Sequence, residues 1–268
     1  MVVPLKRDGH IHTPFCPHGT ADALESYIEK AITSGFLDIS FTEHAPLPSS
    51  FTDTTPLKDS GMSVGALHHY LDAVEAAKDA YKNDIRIRTG LEVDFIAGFE
   101  EETRAFLDEI GPRLDDSILS VHFVKAGPGY FCLDYSAEIF MELAAAAGSV
   151  NEAYGIYFDT VEASIAADLG AFKPKRIGHP TLAHKFQLAH GENIDDELRI
   201  KGVIDKIAKA GAELDVNSAG YFKPDCLEPY PPKKWIYYAE SLGIPLVFGS
   251  DAHSVKGLHQ GYDRIYNG

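Results

Sequence analysis

RDGHIHTPFCPH, residues 7–18, carries two histidines, His10 and His12, at the end of a short run spanning Lys6–His12. Residues two apart on a strand face the same side, so this pair can grip one ion. Similar endings recur along the chain. Leu37–His44 closes in Glu43-His44, and Ile85–Asp94 closes in Glu92-Val93-Asp94. Ile118–Val124 contains His122, Arg176–His179 ends in His179, and Pro245–Ser250 runs into Asp251-Ala252-His253. Glu213–Asn217 ends instead in Asn217-Ser218, hydrogen-bonding groups suited to a substrate. These runs are short and rich in Val, Ile and Phe, as strands covered on both faces should be.

Helical segments separate them: Asp22–Ser34, Val64–Tyr81, Phe99–Ile110, Glu138–Leu169, Asp195–Ala210 and Lys233–Leu242. Thr20 and Asp22 offer capping oxygens to the first, while Gly35, Gly211 and Gly243 stand where helices end. The fourth is too long for one helix and is expected to break near Gly148. Alternating units of this kind imply an α/β fold, a distorted seven-stranded (βα)7 TIM-like barrel forming a single domain over residues 1–268. An open doubly wound sheet is the alternative, but no glycine-rich nucleotide loop follows the first strand. In a barrel the C-terminal strand ends share one mouth. Six of the seven strands would then deliver metal-ligand side chains to one pocket. Ala45–Gly61, with three prolines, is long enough to lie over it as a loop or lid.

Composition narrows the function. With 45% hydrophobic and 24% charged residues the chain can bury a sizeable core. Twenty-four basic against 40 acidic residues, a net charge of −16, argue against nucleic acid as a partner. No apolar run of membrane-spanning length is present, and the first residues do not read as a secretion signal. Cys16, Cys132 and Cys226 are widely spaced with no CxxC, which suits a reducing, cytoplasmic setting.

Each ligand type has a plainer reading when taken alone. His18 in CPHG could be a loop histidine, His44 a helix-start residue, and His122 a satisfied core histidine. Glu92 resists such a reading, because a carboxylate buried without a cation or a proton costs several kcal/mol, roughly 3–5. Joint placement at successive strand ends is what favours a metal site. Asp8 is expected behind an imidazole N–H rather than as a ligand. His68 and His69 in a helix, and His190 and His259 in polar segments, read as solvated. His184 is a possible substrate contact, and Cys16 is a wall residue.

DGHIHTPFCPH, FTEH, GLEVD, SVH, GHP and GSDAH, in this order, resemble the PHP (polymerase and histidinol phosphatase) superfamily. Asn217-Ser218-Ala219-Gly220 and Tyr230-Pro231-Pro232 are similar to stand-alone bacterial members. The resemblance implies a multinuclear centre of two or three divalent ions, Zn, Mn or Fe. His10 and His12 with Glu92 and Asp251 would take the first. Glu92, His122 and His179 would take the second, and His18, His44 and His253 the third. It also implies a metal-dependent phosphomonoesterase that hydrolyses L-histidinol phosphate, a small molecule, in histidine biosynthesis. Asp94 is the expected general acid, with Asp251 as a further catalytic carboxylate. Lys58, Arg176, Lys185, Asn217 and Lys223 are the expected substrate contacts; the chain reads Tyr221-Phe222-Lys223 where such phosphatases often carry an arginine. Three rivals differ in kind: a nucleotide phosphoesterase of the same fold, a metal-binding module without catalysis, and a barrel amidohydrolase. The last would want a bridging Lys where His122 stands.

Overall fold

The computed structural model describes residues 6–266. Its elements alternate as the sequence implies. They are β1 (Arg7–Ile11), α1 (Leu24–Thr33), β2 (Asp38–His44), α2 (Val64–Ala80), β3 (Arg86–Asp94), α3 (Glu100–Ile110) and β4 (Asp116–Ser120). A hairpin follows, β5 (Phe123–Ala126) and β6 (Gly129–Cys132), then α4 (Ala137–Ala147), α5 (Val150–Ala166), β7 (Arg176–Ile177) and α6 (Gln187–His190). The chain ends with α7 (Glu197–Ala210), β8 (Glu213–Asn217), α8 (Lys233–Ser241), β9 (Leu246–Gly249) and α9 (Tyr262–Tyr266).

Seven strands form one parallel sheet in the order β1-β2-β3-β4-β7-β8-β9. Its edges meet: Asp251 N donates to His10 O at 2.9 Å, and His12 N to Ala252 O at 3.0 Å. The result is a nearly closed α/β barrel. Apolar faces of the surrounding helices, such as Tyr27, Ile28 and Ala31 of α1 and Ile200, Val203 and Ile207 of α7, are buried in the core. No helix among the described residues is long and apolar enough to cross a membrane.

Two local expectations change and a third holds. The fourth strand stops at Ser120 and the chain re-pairs as the antiparallel hairpin, leaving His122 at the junction. The first helix is preceded by Ala23, with no side-chain cap; Asp22 instead accepts from Val255 N at 2.9 Å, tying the loop to the last strand's exit. Glu138–Leu169 does break at Gly148, whose φ of 103° favours glycine, and Ser149 caps the next helix through Glu152 N.

Arg176 is a correction. It opens β7 at the barrel's N-terminal mouth, is fully buried, and pairs with Asp116 at 2.7 Å. Arg7 meets the same carboxylate at 2.6 Å, and Arg88 holds Asp38 at 2.7 Å. A Cβ on Gly9 would lie 2.1 Å from the Arg176 guanidinium, so glycine makes room for it. Arg176 therefore belongs to a charge network at the end of the strands opposite the histidines, where no substrate phosphate reaches it.

Candidate metal centre

Glu92, near the end of β3, is only 2% exposed, and imidazoles from four strand ends meet its carboxylate. Oε2 lies 3.3 Å from His10 Nε2, 3.5 Å from His12 Nε2 and 3.2 Å from His44 Nδ1. Oε1 accepts from Ser120 Oγ at 2.6 Å and lies 2.9 Å from His179 Nε2 and 3.7 Å from His122 Nε2. Asp251, just after β9, extends the cluster, its Oδ1 3.2 Å from His12 Nε2 and 3.7 Å from His253 Nδ1. His253 stacks on His12 with ring centres 3.9 Å apart, and its Nε2 is 3.1 Å from His18 Nε2. His179 (φ 24°) and Asp251 (φ 52°) both adopt left-handed backbone. Such strain costs about 1–3 kcal/mol per residue and persists where the surroundings over-determine it. Here it turns both side chains inward as the chain leaves its strands.

A ring of carboxylates stands behind the imidazoles. His10 Nδ1 is 2.9 Å from Asp215 Oδ2, His12 Nδ1 is 3.1 Å from Glu43 Oε1, and His122 Nδ1 is 2.8 Å from Asp94 Oδ1. A carboxylate on one ring nitrogen fixes the tautomer and leaves the other nitrogen as a lone-pair donor. A Cβ on Gly249 would fall 2.5 Å from Asp215 Oδ1 and 2.7 Å from His10 Cβ, so glycine allows that pair to form.

The far nitrogens fit cations. His10 Nε2, His12 Nε2 and His44 Nδ1 are buried without a hydrogen-bond partner, a condition that costs about 1–3 kcal/mol per group when nothing fills the site. Potential ligand atoms gather within 4.8 Å of one another in three sets: His10, His12, Glu92; Glu92, His122, His179; and His12, Cys16, His44, His253. The chain thus offers places for several metal ions. Hard carboxylates mixed with imidazoles suit divalent first-row metals. Cys16 joins the third set by position, but burial and the Glu43 charge raise its thiol and disfavour the thiolate that binds metal.

Electrostatics follow from crowding. Burial alone would raise the Glu92 carboxyl, yet the charges of His10, His122 and His44 hold it well below its usual range. Burial lowers His12, but the adjacent Asp251 and Glu43 carboxylates bring it up to about 9. His122 rises to about 10 against burial because of Asp94 and Glu92. His44 and His253 are pushed well below the usual imidazole value, first by burial and then by His12. Neutral imidazoles are the form that binds metal.

The cluster floors a cavity of about 470 Å³. Lys185 and Lys223 line it, together with Asp134, Tyr135, Tyr230 and Gln260. Lys185 donates to Asp134 at 2.9 Å. Desolvation, then the Lys185 charge, lowers the Lys223 ammonium.

Other expected contacts fall elsewhere. Lys58 is exposed and is not part of the cavity wall. Asn217 is fully buried; its Nδ2 donates to Asp251 Oδ2 at 3.1 Å and its Oδ1 accepts from Ala219 N at 2.9 Å, so it positions Asp251 instead of meeting substrate. Asp94 is also buried, and Oδ1 accepts from both the ring and the backbone of His122. His184 lies outside the cavity, clamped between Asp196 and Glu228 at 2.7 Å each. His259, expected in solvent, is packed on Phe36 and holds Asp8 Oδ2 at 2.8 Å, so Asp8 backs His259 rather than a ligand histidine. His190 is half-buried against Phe140 and Tyr154. Asp215 went unnoticed in the sequence, although a carboxylate inside the apolar run Glu213–Asn217 carries the same signal as Glu92.

A family model for the PHP domain matches residues 8–219. The chain is 47% identical over 260 residues to histidinol-phosphatase of Bacillus subtilis (strain 168), covering 96% of this chain and 97% of that protein. The crystal structure of a candidate histidinol phosphatase, hisK, from Listeria monocytogenes superposes with a TM-score of 0.92 at 41% identity, covering 97% and 99% of the two chains. A histidinol phosphate phosphatase from Lactococcus lactis, solved with zinc, L-histidinol and phosphate, shares the fold at a TM-score of 0.70 and 19% identity, covering 98% of this chain and 93% of that one. The chain belongs to the PHP domain family, within its histidinol-phosphatase branch.

Proposed function

We infer that this chain is a metal-dependent phosphomonoesterase that hydrolyses L-histidinol phosphate to L-histidinol and phosphate, a step of histidine biosynthesis. The observation that carries the reading is the convergence of seven histidines, Glu92 and Asp251 on one cavity that also presents Lys223. The substrate follows from the Bacillus relative, matched over nearly its whole length.

His10, His12, Glu92 and Asp251 would hold one ion, Glu92 with His122 and His179 a second, and His18, His44 and His253 a third. Bound there, divalent ions supply a more acidic water and neutralise charge at the phosphoryl group. The protein contributes orientation. Asp215, Glu43 and Asp94 lock the imidazoles of His10, His12 and His122, Asn217 steadies Asp251, and the ammonium groups of Lys223 and Lys185 face the phosphate. Such preorganised charge is worth most in a site that excludes water. The three buried cysteines are all free thiols, which suits a cytoplasmic enzyme. A small phosphomonoester, and not nucleic acid, suits a cavity of about 470 Å³ and the acidic chain.

Comparing kcat/KM for L-histidinol phosphate, a plain alkyl phosphate and a thymidine monophosphate diester tests the substrate. L-Histidinol phosphate should lead by about tenfold or more, because a site built for a substrate amine rejects an ester that lacks it. Equal or faster turnover of the diester would replace this reading with a nucleotide phosphoesterase.

Asp94 tests the alternative placement of the general acid. As the partner of His122, Asp94→Asn should weaken metal binding or activity by about 10–100-fold, and excess Mn or Zn should recover much of the loss. A deficit that no metal concentration relieves, and that grows with the basicity of the leaving alcohol, would return Asp94 to the acid role.

A further inference from the structure

Four carboxylates line the cavity, Asp59, Glu92, Asp134 and Asp251, alongside two ammonium groups, Lys185 and Lys223. Glu92 and Asp251 face imidazoles, and Asp134 is paired with Lys185. One charge of each sign is left without an ion pair. Lys223 has no ion pair among the described residues, and the Asp59 carboxylate enters no hydrogen bond or ion pair among them.

The two charges reach the cavity from different connections. Asp59 stands in the connection after β2, and Lys223 follows β8. The Asp59 segment is also firmly built. The Asp53 carboxylate accepts from Thr55 N and Oγ1 at 2.8 Å each and from Ser60 N at 3.1 Å. Gly61 packs so tightly on the Ala45 carbonyl that a Cβ there would lie 2.4 Å from its oxygen. The Asp59 carbonyl itself is 2.8 Å from His18 Nδ1, fixing it beside the third metal position.

We propose that Asp59 is the specificity-determining carboxylate that receives the substrate's ammonium while Lys223 takes the phosphate, an assignment that rests on the phosphomonoesterase reading above. The substrate carries a dianionic phosphate at one end and an ammonium further along, so one cation and one carboxylate left without ion pairs match its charge pattern. An ester without the amine leaves Asp59 unpaired in the closed complex, and an unpaired partly buried carboxylate penalises binding.

The test uses the metal-loaded protein and two esters differing only in the amine: L-histidinol phosphate and its des-amino analogue. Asp59→Asn keeps the side-chain shape and the backbone carbonyl at His18. The preference for the aminated ester should shrink by about tenfold or more, mainly through KM. Calorimetry should show L-histidinol binding weakened to a similar degree, with metal content equal to the unsubstituted protein. Asp59→Glu, which keeps the charge, should recover part of both. A preference unchanged within twofold, or equal losses on both esters, would overturn the assignment. Absence of any amine preference in the unsubstituted protein would overturn it too, and would place the failure in the substrate reading itself.

Discussion

Glu92→Gln is expected to lower kcat by about 10³-fold or more, the largest effect of any single substitution at the cluster. The two side chains have the same size, so the barrel should fold and the Gln amide can still accept from Ser120 Oγ. What changes is charge. Oε2 faces three buried ring nitrogens that have no hydrogen-bond partner, and Oε1 faces two more. An amide offers one neutral oxygen and a donor NH2 that points hydrogens at groups needed as lone-pair donors. Two ion positions should be lost together, because Glu92 belongs to two of the three ligand sets. His18, at the exposed rim, serves only the third position in our assignment, so His18→Ala should keep more metal and more activity. Elemental analysis beside steady-state kinetics would decide. Glu92→Gln with full metal content and more than a tenth of the activity would remove Glu92 from the shared position.

Stripping the metals is expected to abolish turnover and to destabilise the fold at the same time. Without ions, His10 Nε2, His12 Nε2 and His44 Nδ1 remain unsatisfied in the interior. Ligand that binds only the folded state adds stability of about 2.7 kcal/mol at a hundred times its dissociation constant. For a domain of this size that corresponds to a fall in Tm of roughly 5–10 °C on removal. Mn or Zn should restore both properties, with content approaching three ions per chain. Inactivation should also appear on the acid side, since ligands must be deprotonated to bind. A protein proven free of metal that still turned over substrate, with an unshifted melting curve, would contradict the whole centre.

The cluster was legible in the chain because its residues repeat a positional rule. His10, His44, Glu92, His179 and Asp251 each stand at or just past the end of a strand, and parallel strands in a barrel put those ends in one mouth. No long-range information is needed for that step. The histidines that misled lack the rule. His259 looks like a loop residue until Phe36 and Asp8, more than two hundred residues earlier, are placed against it. Arg176 shows the converse hazard. It opens the two-residue strand that His179 follows, and three residues are enough to carry a side chain from one mouth of the barrel to the other.

Strand order, barrel closure and the gathering of imidazoles thus follow from patterns local to each βα unit, which hydrophobic periodicity and strand polarity encode directly. Roles that depend on which atom meets which are a different matter. Asp94 on His122, Asn217 on Asp251, Asp215 on His10 and Lys185 on Asp134 are pairings between side chains distant in sequence. Any of these groups could equally have faced a substrate. Packing settles the choice, because a buried polar atom must find its partner among whatever neighbours the closed barrel brings within hydrogen-bonding distance. The same closure brings Asp59 and Lys223 to one cavity wall with no ion pair for either among the described residues, which no local pattern in the chain records.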